Sequence, residues 1–147
     1  MTEVDPNIVL RKLDFLDDYL NRLEPFCAIS FTDYLADSNT QLIVERLLQL
    51  SFQVAIDVNR YLLKTLNIPQ PEKNFDTFEE MSRCGILTPE LAKILAPSGS
   101  LRNRLVHMYD EIDPVKIHEC IQLALQEYPK YQRQLIQYLD TLEDDHG

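Results

Sequence analysis

The stretch DPNIVLRKLDFLDDYLNRLEP, residues 5–25, decides the fold class. Asp5 offers a side-chain acceptor to the unpaired N–H groups of a helix start. Pro6 stands at the first helical position, where its missing N–H costs nothing. Val9, Leu13, Leu16, Leu20 and Leu23 then recur at alternating steps of four and three. That spacing predicts a helix with a narrow apolar seam of coiled-coil type, leaving Asp14, Asp17, Asp18 and Arg22 outside it. Pro25 predicts its end.

Working outward, SFTDYLADSNTQ (30–41) reads as a short helical turn and a connector. A second long helix is predicted from about Thr40 to Asn67, with Asn39 as its cap. Its apolar residues, Leu42, Ile43, Leu47, Leu50, Val54, Val58, Tyr61 and Leu62, are broad enough for a central, heavily packed helix. Glu45, Asp57 and Asn59 are polar positions within it, either solvated or interhelical. NIPQPEKN (67–74) is a proline-rich loop. DTFEE (76–80) reads as a capping box of Asp76 with Glu79, starting a short helix that Gly85 stops. TPELAKILAP (88–97) repeats the cap-then-proline pattern at Thr88 and Pro89, and Pro97, Ser98 and Gly99 read as a break. Asp113 and Pro114 start a last helical region reaching about Leu142, with a kink expected at Pro129. No internal repeat, low-complexity tract or linker interrupts the chain. The expectation is an all-α fold, a compact bundle of four to six helices forming a single domain over residues 1–147.

The bulk numbers agree with a folded chain. Of 147 residues, 45% are hydrophobic and only 3 are glycine, enough apolar surface for a real core. The net charge of −10 argues against a general nucleic-acid coat, because phosphate contacts need local cations. It leaves room for a small basic site, since only the field near the contact matters. The acidity serves either solubility or an acidic face offered to a basic partner. Cys27, Cys84 and Cys120 lie far apart, and an odd count without a secretion signal points to reduced cytoplasmic thiols. No apolar run approaches the ~18 residues of a membrane span. A cytoplasmic protein is expected.

Against this background RNRLVHMY, residues 102–109, stands out. If residues 100–112 are helical, Leu101, Leu105, Met108 and Ile112 fall on one buried stripe, while Arg102 and Tyr109 lie two turns apart on nearly one line. Asn103 and His107 become neighbours able to touch. Arg102 and His107 border one outward face, ~140° apart, a gap that a second copy facing across a twofold axis would close. A guanidinium forks onto phosphate oxygens and an imidazole moves protons near neutral pH. Cleavage of RNA by its own 2′-hydroxyl asks for both. No metal is required, and His118 and His146 form no ligand cluster with carboxylates or cysteines. The Pro-Ser-Gly break would set the motif at a helix N-terminus, a natural place for an anion. The blander alternative is an Arg and a His on an ordinary solvated helix face. Asp57 is open to two readings, a hydrogen bond to a motif arginine or an unpaired surface position.

LRNRLVHMYDEID (101–113) resembles the R-x4-H-x-Y signature of HepT-like toxins, a branch of the HEPN superfamily of helical RNases. VERLLQLSFQVAIDVNRYLL (44–63), the proline loop, FEEMSRCGILTPELAKILAP (78–97) and YQRQLIQYLDTLE (131–143) follow that family's order and spacing. The resemblance covers most of the chain from Leu10 to Leu142. It implies a HEPN-like bundle that dimerises through the motif-bearing face and a metal-independent endoribonuclease toxin that needs no cofactor. RNA, with transfer RNA a first guess, would be the substrate. Arg102 and His107 would be the catalytic pair, and Asn103 would orient the histidine or the substrate. Tyr109 would accept AMP from a cognate nucleotidyltransferase antitoxin, placing a phosphodiester beside Arg102. Unmodified, Tyr109 is open to a catalytic role or to one as a packing ring. A different expectation within the superfamily is a non-catalytic companion that binds nucleotide or substrate for a nucleotidyltransferase.

Overall fold

A computed structural model describes residues 3–107 and 112–146. Among these the chain forms seven α-helical segments and one 3-10 turn, with no strand: α1 (Pro6–Leu23), the turn at Glu24–Phe26, α2 (Phe31–Ala36), α3 (Ser38–Thr65), α4 (Asn74–Arg83), α5 (Pro89–Leu95), α6 (Pro97–His107) and α7 (Pro114–His146). Five run to ten residues or more, and α2 and α5 are short pieces of six and seven. The all-α bundle expected from the sequence is the architecture found.

The seam of α1 is buried as its spacing requires: Val9, Leu13, Leu16, Leu20 and Leu23 all face inward. The Asp5 side chain accepts from the N–H of Asn7 at 3.0 Å, closing the helix start. α1 packs along α3, which also meets α4, α6 and α7 and so forms the centre of the bundle. Val44, Leu48, Phe52, Ala55, Val58, Leu62 and Leu63 of α3 are buried in one continuous core with Phe78, Leu95, Tyr128 and Leu135. Burial of each such Leu or Phe side chain stabilises by about 1.5–3 kcal/mol. Leu42 and Ile43, counted above in the packed face of α3, are instead 66% and 49% exposed.

Both ends of α3 depart from expectation by two residues. Asp37, not Asn39, is the cap, because α2 stops at Ala36 and the first carboxylate available accepts from both Asn39 and Thr40. The helix ends at Thr65, and Asn67 takes a left-handed φ of 59°. There the N–H groups of Asn67 and Ile68 reach back to the carbonyls of Lys64 and Leu63, the Schellman closure in which Asn substitutes for Gly. Gly85, at φ 77°, closes α4 the same way.

Two local readings fail. α4 already begins at Asn74, with Lys73 at the cap position making no side-chain bond. Asp76 is therefore inside the first turn, and Glu79 pairs with Arg83 at 3.0 Å rather than closing a capping box. Pro97, Ser98 and Gly99 are no break either, since they form the first turn of α6 and only Ala96 separates it from α5. Proline fits the opening position of a helix. Gly99 is there because a Cβ would lie 2.5 Å from the Phe75 nitrogen and 2.6 Å from the Asn74 carbonyl carbon. α6 thus crosses the start of α4 backbone to backbone. α7 continues past Pro129 and extends to His146, beyond the end expected near Leu142.

Candidate active site

The close approach at Gly99 sets up the site. Asn103, one turn further along α6, reaches Asn74 at the first position of α4. The Asn74 side-chain amide donates to Asn103 Oδ1 at 3.2 Å. Arg102, the next residue round the helix, is directed at α3, where its Nε donates to Gln53 Oε1 at 2.5 Å. Arg102 Nη1 donates to Asn103 Oδ1 at 3.0 Å. The guanidinium is half-buried, held at Nε and at Nη1, and no hydrogen bond to a described residue uses its Nη2.

These grips are held in turn from α3. Gln53 donates its amide to Asp57 Oδ1 at 2.7 Å, and Lys12 of α1 stands 3.8 Å from the other Asp57 oxygen. Arg60 donates from Nε and Nη2 to Asn74 Oδ1 at 3.2 and 2.8 Å. Its Nη1 holds Gln70 Oε1 and the Pro71 carbonyl at 3.1 and 3.0 Å, tying the proline loop to α3. A polar network therefore runs behind α6 from Lys12 to Gln70.

His107, the last residue of α6, is exposed. Five residues after Arg102 it sits roughly 140° round and about 7.5 Å along the axis. No hydrogen bond joins Asn103 to His107, and the Asn103 oxygen accepts from Arg102 and Asn74 instead. Arg102 lies in the second turn of α6, so the motif is not at a helix N-terminus. Leu105 is buried and Leu101 half-buried, but Ile112 lies beyond the helix. Met108 and Tyr109 lie outside the described residues. Asp57 contacts the motif arginine through Gln53, one residue removed from the direct bond considered above.

Gln53, Arg60 and Asn74 were not among the sequence candidates. A signal existed: Gln53, Asp57 and Arg60 recur at steps of four and three and so share one face of α3.

A cavity of about 410 Å³ opens between α6 and α7, lined by Phe52, Ile94, Leu101, Arg104, Lys116 and Cys120 among others. Arg102 and Arg104 are about 200° apart on the helix, so this cavity lies away from the Arg102 face. Burial, with Glu119 adding, pushes the Cys120 thiol up to about 11, which removes it as a nucleophile near neutral pH. Among the described residues no three His, Cys, Asp or Glu side chains gather to hold a metal ion. None of the described helices is long and apolar enough to cross a membrane.

Similarity to known proteins places this all-helical chain among ribonucleases. The family Ribonuclease HepT-like matches residues 16–137, and the chain belongs to it. It is 49% identical over 146 residues to the tRNA nuclease HepT of Aphanizomenon flos-aquae, covering 99% of both chains. In fold it resembles the tri-AMPylated HEPN toxin of Shewanella oneidensis solved in complex with an MNT antitoxin. The TM-score there is 0.76 at 20% identity, covering 87% of this chain and 96% of that one. The cytosolic protein YutE of Bacillus subtilis aligns with a TM-score of 0.77 at 19% identity, over 96% of this chain and 94% of that one.

Proposed function

We propose that this chain is a metal-independent endoribonuclease toxin in which Arg102 binds the scissile phosphate and His107 moves the proton. The observation that carries the reading is the Arg102 guanidinium, fastened at Nε to Gln53 and at Nη1 to Asn103, with no described residue bonded to Nη2. Side-chain entropy has been spent in advance to aim a permanent cation. In the reaction His107 takes the 2′-hydroxyl proton and the 2′-oxygen attacks phosphorus. The bond to the 5′-oxygen breaks and that oxygen is protonated, leaving a 2′,3′-cyclic phosphate and a 5′-hydroxyl. Arg102 stabilises the charge that builds on the phosphoryl oxygens.

The angle between Arg102 and His107 on one helix is too wide for both to grip a single phosphate. A second copy facing the first across α6 supplies the missing half, so the active form is a homodimer. The name of the Aphanizomenon relative supports transfer RNA as substrate. The Shewanella complex supports a nucleotidyltransferase antitoxin as partner. On the R-x4-H-x-Y resemblance of residues 102–109, Tyr109 is the AMP acceptor and Asn103 the substrate-orienting residue.

The test is incubation of the purified chain with total RNA in excess chelator, with mapping of the cut ends. Cyclic phosphate termini on tRNA fragments, lost in Arg102→Ala and His107→Ala, are the expected result. RNA left intact by a dimer that binds nucleotide would instead make the chain a non-catalytic companion of the nucleotidyltransferase.

A further inference from the structure

We infer that two charged residues of α3, Asp57 and Arg60, dictate through one amide each which atoms α6 presents to RNA, with Gln53 and Asn74 as the positioning residues that transmit the instruction. The inference rests on the reading of Arg102 as the phosphate-binding cation.

A side-chain amide can flip, exchanging its donor and acceptor ends at almost no steric cost. Neither Gln53 nor Asn74 has that freedom. A carboxylate only accepts, so Asp57 Oδ1, 2.7 Å from Gln53 Nε2, forces the Gln53 oxygen toward Arg102, where it takes the Nε proton. A guanidinium only donates, so Arg60 fixes the Asn74 oxygen toward itself and turns the Asn74 amide nitrogen to Asn103. Asn103 must then hold its oxygen inward, where it accepts from both Asn74 and Arg102 Nη1. Its own amide nitrogen is left on the outer side.

Asp57 and Arg60 are three residues apart on one face of α3, so a single helix sets both relays. Among the described residues, the groups these relays leave for substrate are donors: Arg102 Nη2, the second N–H of Nη1, and Asn103 Nδ2. A phosphodiester carries acceptors alone. With Gln53 reversed, its amide N–H would oppose the Arg102 Nε–H, donor against donor; with Asn74 reversed, Asn103 would turn its nitrogen to Arg102 and its oxygen to the phosphate, and in either case the cation would lose its aim. The relays remove these wrong states before substrate arrives.

The experiment measures kcat and KM for RNA cleavage, with melting temperature, in Arg102→Ala, Gln53→Met, Asp57→Asn and the double variant Gln53→Met/Asp57→Asn. Met matches the length of Gln but accepts no proton from Arg102. Asn at 57 keeps the shape but lets Gln53 flip. Arg102→Ala is expected to abolish cleavage. Gln53→Met should lower kcat roughly ten- to a hundredfold, with KM held within about threefold. Asp57→Asn should lower kcat by less, about threefold, and should add nothing in the Gln53→Met background, because its effect passes through Gln53. If Gln53→Met melts early, Asp57→Asn decides alone, since it alters a partly exposed side chain by one group. Wild-type kcat in Gln53→Met and Asp57→Asn beside a dead Arg102→Ala would overturn the relay and leave the phosphate reading intact. Independent, multiplying losses in the double variant would overturn it as well. Full activity in Arg102→Ala would remove the phosphate reading itself.

Discussion

Tyr131 shows how much one hydroxyl can organise. From α7 its single proton is shared between two α3 acceptors, Asn59 Oδ1 at 2.6 Å and the Ala55 carbonyl at 3.0 Å. The Asn59 amide goes on to Thr77 Oγ1, and the Thr77 hydroxyl to the Asn74 carbonyl. A buried chain of polar atoms thus joins three helices and ends at the first residue of α4. Tyr131→Phe leaves Asn59 Oδ1 dry and unpaired, and should cost about 1–3 kcal/mol in urea unfolding. Asp37 acts on α3 by charge. Hydrogen bonds from Thr40 above all, with Asn39, hold its carboxyl below the ordinary range. A carboxylate favoured in the folded state contributes stability above its unfolded pKa of about 3.9 and loses it as pH falls through the lowered folded value. Asp37→Ala should therefore melt earlier than the parent at pH 7, and the gap should close on acidification. A gap unchanged down to pH ~2 would remove the charge argument.

At the scale of elements, α6 is placed by contact rather than by its own pattern. Gly99 lets its backbone meet that of α4, and the consequence reaches Asn103 one turn later. Gly99→Ala drives a methyl group into the Asn74–Phe75 peptide. It should cost about 1–3 kcal/mol in stability and, by parting Asn103 from Asn74, lower cleavage more than the melting change accounts for. The same contrast explains what the sequence allowed. The seam of α1 was legible residue by residue, because an amphipathic helix carries its own spacing. The start of α6 was not, because Pro-Ser-Gly has loop composition and only the neighbouring helix makes it a helical turn. Asp37 against Asn39 failed for a related reason: two cap-forming residues stood close together, and the end of α2 chose between them. At α4 the cap position fell to Lys73, which makes no side-chain bond, so no capping residue marked the true start.

At the scale of the molecule, the candidate site divides the same way. Arg102, Asn103 and His107 could be read together because they share one turn and a half of chain. Gln53 and Asn74 lie 49 and 29 positions from their partners in the motif, and no local pattern joins residues so distant. The net charge of −10 belongs to this scale too. It surrounds a local cationic site with a field that repels RNA at long range and attracts a basic partner. If that field steers the nucleotidyltransferase antitoxin, association should slow at least about tenfold between low salt and 0.5 M salt. Stopped-flow mixing would measure it, and equal rates would exclude steering.

The backbone contact at position 99 also has a genetic reading. Every change in the first or second base of a glycine codon installs another amino acid or a stop, and each side chain so introduced acts as a wedge between two helices. Cultures forced to express this chain without its antidote should yield survivors carrying lesions at codon 99 alongside those at codons 102 and 107. Sequencing a few dozen such colonies would reveal a hotspot where no chemistry takes place.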